Sequence, residues 1–178
     1  MTISKQDRRY VFELALAITV AASMLLYGLG KPTQFSNTII LQKKVADLTG
    51  MELMWAFYGY TKTYPIIIGV CEIMGGLLLL VGKTRIIGAG ILTAILLNVI
   101  LQDIFYGVNQ GALKAAIIYQ TLLLIIFYLK RKLILHSIKF YLQQIKTTTV
   151  TFKKRCLLGV IAFVAAIIFK LIEGFLTH

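Results

Sequence analysis

Long apolar runs, broken only by short polar or glycine-bearing stretches, dominate the chain from about residue 10 onward. A helix needs roughly twenty residues to cross a hydrocarbon core of about 30 Å. Windows of that length predict five spans, at residues 10–30, 64–82, 86–107, 112–130 and 156–176. Only Gly82-Lys83-Thr84-Arg85 separates the second from the third, and a stretch around Asn109-Gln110-Gly111 separates the third from the fourth. Connections that short make those helices antiparallel neighbours.

Two further stretches carry a different period. Met51, Met54, Trp55 and Tyr58 recur at helical spacing beside Phe57 and Tyr60, which predicts a short interfacial helix over 51–60 anchored by its aromatics. Its simplest role is a membrane-lying connector. After the fourth span, Ile134, Leu135, Ile138, Tyr141, Leu142 and Ile145 mark one face, while Lys132, Lys139 and Lys146 repeat every seventh residue on another. That pattern predicts a basic amphipathic helix on anionic cytoplasmic lipid, closed by Thr147-Thr148-Thr149. The expected organisation is a four-span bundle over 1–132, a basic segment over 133–155 and an appended fifth span over 156–178.

Composition agrees and excludes a water-soluble domain: 58% of the 178 residues are hydrophobic and 15% charged, with mean hydropathy +0.83, against about 25% charged in soluble domains. The formal charge of +12 raises nucleic acid or anionic lipid as a partner. Because the basic residues gather at the ends of apolar runs and form no stripe interleaved with aromatics, lipid is the expectation and nucleic acid is not.

Basic residues in short loops stay on the cytoplasmic side. An N-inside, C-outside arrangement puts thirteen of the nineteen Lys and Arg inside, among them Arg8, Arg9, Lys83, Arg85 and Lys130–Lys132; Lys31, Lys43, Lys44, Lys62, Lys114 and Lys170 lie outside. Arg8, Arg9 and Ala21-Ala22-Ser23 have the look of a cleavable leader. Glu13 interrupts the run and it continues to Gly30, so a retained first span is expected. The cysteines, Cys71 and Cys156, sit in separate spans without a CxxC pair, and are expected to be packing residues. His136 and His178 both fall outside the spans, so neither a bis-histidine haem site nor a zinc site is expected.

Ionisable groups inside a span are costly and by default mark function. At 1.5 Å per residue, Glu72, Asn98 and Gln120 all lie about 15 to 18 Å from the cytoplasmic ends of their helices, near the midplane. Gly69, Gly75 and Gly76 share the face of Glu72 and predict close helix packing there. Without an adjacent cation, Glu72 is expected to be a neutral hydrogen-bond donor and proton-exchange group; the competing reading is interhelical glue to Asn98 or Gln120. Asn98, Gln102 and Tyr106 continue a polar stripe on the third span, and Tyr119 and Gln120 extend it onto the fourth. Asp103, with Lys31 and Lys114 as its available cations, is expected to form a structural ion pair, chiefly with Lys114. Glu13, Lys170 and Glu173 are expected to snorkel.

Several of these residues resemble a known family. Gly28-Leu29-Gly30-Lys31 closes the first span, and the run Glu72-Ile73-Met74-Gly75-Gly76 continues through Leu77–Leu80 and Val81-Gly82 to Thr84-Arg85. With Trp55-Ala56-Phe57-Tyr58-Gly59-Tyr60 and Asp103-Ile104-Phe105-Tyr106-Gly107, they are similar to the DoxX-like membrane proteins of bacteria, four-helix relatives of the DoxD subunit of a thiosulfate:quinone oxidoreductase. The resemblance covers residues 10–130. It implies a subunit in the bacterial cytoplasmic membrane that binds quinone, or a similar lipid-soluble compound, and works with a redox partner protein. Glu72 would be the proton-exchange partner, Asn98, Gln102, Tyr119 and Gln120 the polar lining, and Lys31 the outer mouth. The basic segment and fifth span after residue 132 depart from that family. Two other classes stay open: a non-catalytic assembly or scaffold protein, and a small-solute or proton transporter, against which stand five spans with no inverted repeat.

Overall fold

A computed structural model describes residues 3–36, 42–145 and 150–177. Among them there is no strand. Helix α1 runs Lys5–Gln34, α2 Gly50–Gly59, α3 Thr63–Leu80, α4 Arg85–Tyr106, α5 Gln110–Gln144 and α6 Phe152–Thr177, with a single 3-10 turn at Val45–Asp47 ahead of α2. Five of the six, all but α2, are long and apolar enough to cross a membrane. The chain divides into two compact units, Met1–Leu135 and His136–His178.

The first unit is built from helices whose buried stripes are narrow and small. On α3 the stripe is Pro65, Gly69, Glu72, Gly75, Gly76 and Leu79; on α1 it is Glu13, Leu16, Ala17, Val20, Ala21, Met24 and Gly28. Large side chains such as Leu26, Leu29, Met74 and Leu77 face outward. This distribution suits a lipid solvent, where small residues at the interface let backbones approach and no apolar penalty attaches to the outer face. Residues of α1, α3, α4 and α5 share one core that includes Val20, Leu79, Leu92 and Leu123.

Helix α1 packs chiefly on α3, and α3 on α4. The glycines set how closely. A Cβ on Gly28 would lie 2.7 Å from the Gly69 carbonyl oxygen, and one on Gly69 2.6 Å from that of Gly28. Gly88 of α4 is tighter still, with the Leu79 nitrogen 2.5 Å and the Gly75 oxygen 2.6 Å from where its Cβ would be. Gly69, Gly75 and Gly76 were expected from their spacing to line a helix contact, and they do, with Leu92 against Gly75 and Ala21 against Gly76.

Three expectations are corrected. The first helix begins at Lys5 and not near residue 10, because Ser4 and Asp7 form a reciprocal capping box; it continues past Pro32, which lies in the last turn and forgoes the N–H bond to the carbonyl four residues before it. The fourth span and the basic amphipathic segment are one 35-residue helix, since no Gly or Pro interrupts residues 112–144. Lys132 and Lys139 are exposed on it; Lys146, Thr147–Thr149 and His178 lie outside the described residues. The cysteines are exposed rather than packed in the core. In the second unit, α6 is the fifth apolar helix and has no buried residue.

Candidate functional site

Two adjoining lobes open inside the first unit, at the α2 end of the bundle, with cavity volumes of about 260 and 140 Å³. The local sequence builds the cover. Thr49 and Glu52 form a capping box that starts α2, and Lys43 donates to the Glu52 carboxylate. These contacts, Lys43 foremost, hold Glu52 well below the ordinary carboxylate range, at about 2. On α2, Trp55 and Tyr58 turn towards α1, where Phe35 meets Trp55 edge-on at 5.2 Å and stacks on Tyr58 at 4.8 Å. At the other side of the lobe Gly107, at φ +60°, ends α4 in the left-handed conformation that glycine favours, and the Asn109 side chain caps α5 by accepting from Gly111 and Ala112.

The larger lobe is lined by Phe35, Trp55, Tyr58, Asn98, Gln102 and Asp103, among others. The smaller contains Glu72, Tyr27 and Tyr119. Lys31, Gln34, Val99 and Ala112 line both. Lys31 Nζ lies 3.4 Å from Glu72 Oε1 and 3.2 Å from Gln34 Oε1, so this one ammonium sits where the lobes meet. The Tyr58 hydroxyl and the Gln102 amide bond each other, at 3.0 Å to Oε1 and 2.6 Å to Nε2. Burial pushes the Tyr58 phenol above its ordinary value, against the opposing pull of Gln102.

The residues expected to form a site are thus brought together in part. Glu72, Lys31 and Tyr119 share the smaller lobe, and Asn98, Gln102 and Lys31 the larger. Gln120 is buried but lines neither, and its Oε1 has no hydrogen-bond partner. Glu72 is not without a cation: Lys31, expected at the mouth, reaches it because it lies on the α1 face that Gly28 and Gly69 bring against α3. The expected Asp103–Lys114 ion pair is absent. Lys114 is exposed on the first turns of α5, whereas Asp103 is only 8% exposed and its Oδ2 has no partner. Tyr27 and Gln34, not among the expected site residues, follow the helical spacing of Lys31 along α1 and continue the polar stripe there.

A second cluster lies at the opposite end of the bundle. Glu13, expected to snorkel, is 4% exposed and accepts from Arg85 Nη1 at 2.6 Å and Lys130 Nζ at 3.0 Å. Arg85, 2% exposed, also donates through Nε to the Leu79 carbonyl at 3.0 Å and through Nη2 to that of Leu80 at 3.2 Å. It therefore caps the last turn of α3 while pairing α4 with α1. Arg9 adds a bond to the Leu129 carbonyl. All its charges find partners, so this cluster fastens helices and leaves nothing for a ligand.

Among the described residues no group of His, Cys, Asp and Glu could hold a metal ion. No family model matches the chain. Over 115 residues it is 30% identical to YwoB of Bacillus subtilis (strain 168), an alignment that takes in 64% of this chain and 73% of that protein. The chain belongs to the same family as YwoB. YwoB is itself an uncharacterized protein, so membership in its family brings no activity with it. No solved structure matches.

Proposed function

We propose that this YwoB relative is a multi-pass membrane subunit that binds a small lipid-soluble organic compound in the lobe around Glu72. The observation that supports it is the Glu72 side chain itself. One carboxylate oxygen pairs with Lys31, while Oε2 is buried and has no hydrogen-bond partner, in a residue that lines the smaller lobe. Buried polar groups in folded proteins are satisfied with few exceptions, so an unsatisfied oxygen beside a cavity points to a missing partner. Quinone is the compound class that the DoxX-like resemblance implies, and the residues fit it: Tyr27 and Tyr119 offer aromatic walls and hydroxyls, and Lys31 has donor capacity left. When bound, a quinone supplies two-electron, two-proton chemistry. The chain's own part is to bind and orient the ring, to keep water from it, and to hold a proton at Glu72. Electrons come from a redox partner protein.

In this reading the chain lies in the bacterial cytoplasmic membrane with its N-terminus inside, as a four-helix bundle with a fifth helix appended. Lys132, Lys139 and the Lys153-Lys154-Arg155 run rest on anionic lipid at the cytoplasmic face.

The test is mass spectrometry of lipids and quinones extracted from the purified full-length protein, beside a Glu72→Gln variant and an unrelated membrane protein. Quinone at fixed stoichiometry, reduced in the variant, is the expected result. No enrichment over the control refutes quinone binding and moves the assignment to a scaffold, for which the exposed basic face of α5 is the surface to use in capturing a partner.

A further inference from the structure

The larger lobe contains an acid that the proposed function does not use. Asp103 lies three residues before the end of α4 and lines the same lobe as Phe35, Trp55 and Tyr58. It is 8% exposed, no Lys or Arg comes within ion-pair distance of it among the described residues, and its Oδ2 is buried without a hydrogen-bond partner. Lys31, the one cation lining the lobes, is already engaged by Glu72 and Gln34. Of the two carboxyl groups that line the lobes, Glu72 has Lys31 beside it and Asp103 has no cation.

A buried carboxyl group without a cation either keeps its proton or is met by an opposite charge that also donates hydrogen bonds, and a ligand cation would supply the second. The aromatic part of the lining specifies more. The Phe35 ring packs against both Trp55 and Tyr58, and ring faces attract cations, Trp most strongly. Lys31 already makes such an approach, its Nζ 5.7 Å from the centroid of Phe35. A neutral carbonyl compound gains from the rings but leaves Oδ2 unsatisfied; an anion is repelled. An alkylammonium carrying an apolar or aromatic tail satisfies the acid and the rings at once.

We propose that the larger lobe is a binding site for an organic ammonium, with Asp103 as its counter-charge and Trp55, Phe35 and Tyr58 as its aromatic wall. This goes beyond the Glu72 reading and needs only that the lobe admit a ligand, which its position at the helix ends allows. The same chemistry is carried by free amines and by the ethanolamine headgroup of a phospholipid.

The experiment uses the full-length protein in a neutral maltoside detergent and follows binding by calorimetric titration. The probes are 2-phenylethylammonium, its neutral counterpart 2-phenylethanol, dihexanoyl phosphatidylethanolamine and a short-chain benzoquinone. The ammonium is expected to bind saturably and about tenfold or more tighter than the alcohol. Asp103→Asn, a substitution of equal size, should abolish that preference, and Trp55→Leu should weaken the ammonium more than the alcohol, because it removes the cation–ring attraction as well as apolar contact. Displacement of the ammonium by the phosphatidylethanolamine assigns the site to a headgroup; no displacement assigns it to a free amine, and both support the proposal. Equal affinity for ammonium and alcohol, or a preference that survives Asp103→Asn in folded protein, overturns it. Benzoquinone binding that depends on Glu72, without ammonium binding, overturns this inference and keeps the earlier reading; saturable ammonium binding with no quinone does the reverse.

Discussion

Removing the guanidinium of Arg85 should loosen the bundle by an amount that its contacts set. Arg85 makes three bonds from a side chain 2% exposed: one to Glu13 and one to each of the last two carbonyls of α3. Breaking a buried pair by deleting one partner costs about 3–5 kcal/mol. In Arg85→Met the carboxylate is not orphaned, because Lys130 remains 3.0 Å away, which places the expected loss near the lower bound, about 3 kcal/mol. Glu13→Gln leaves the guanidinium with its two carbonyls but no counter-charge, and should cost about as much. Lys130, whose side chain is 28% exposed, can turn to the interface, so Lys130→Met should cost only about 0.5–1 kcal/mol.

The discriminating quantity is the coupling between the first two changes. If the pair acts as a unit, the double variant Glu13→Gln/Arg85→Met should be milder than the summed singles by about 2 kcal/mol, within the range for residues in one network. Equilibrium unfolding in mixed micelles with increasing dodecyl sulfate measures it, followed by helical circular dichroism and by Trp55, the single tryptophan. Additivity within about 0.5 kcal/mol would show that the two side chains act independently, and the account of this cluster as a helix fastener would be wrong.

Three further outcomes follow from particular contacts. Gly88→Ala drives a methyl into the α3 backbone, 2.5 Å from the Leu79 nitrogen, and should cost about 1–3 kcal/mol; Gly90→Ala, with nothing within 4 Å, should be neutral in the same unfolding assay. Glu52 titrates at about 2 in the folded protein and near 4.5 when unpaired, so its contribution is complete above pH 4.5 and is lost as pH falls from there through about 2. Acid titration of Trp55 emission should show the change in that window, and Glu52→Gln should remove it. Tyr58→Phe deletes the bond to Gln102 and should lower stability by about 0.5–1.5 kcal/mol, with the loss read by thermal unfolding; an unchanged midpoint would mean that Gln102 holds no part of the cover.

What the sequence made legible follows from single-helix periodicity. The five apolar runs, the α2 helix, and the glycine face around Glu72 can all be read from one segment at a time, and all are present. What it hid depends on relations between segments. Glu13 looks like a snorkelling residue when α1 is considered alone, and its partner Arg85 is 72 positions away on α4. Lys31 looks like a mouth residue until the Gly28–Gly69 approach brings it beside Glu72. Asp103 had a cation in sequence reach, Lys114, but the chain turns at Gly107 and leaves that lysine exposed on α5.

The two ends of the first unit then differ in a way that bears on function. At the Arg85 end, one buried acid meets two cations, and the guanidinium also takes up two terminal carbonyls of α3. At the α2 end, of two buried acids only Glu72 has a lysine beside it, and one oxygen of each acid has no hydrogen-bond partner. Polar residues that serve only to join helices have no reason to be saturated at one end and short of donors at the other, since each unsatisfied buried group costs about 1–3 kcal/mol. Stability alone would have replaced Asp103 with an apolar residue. That an acid stands there, lining the same lobe as Trp55 and Tyr58, is the strongest physical argument that this end binds something the chain itself does not supply.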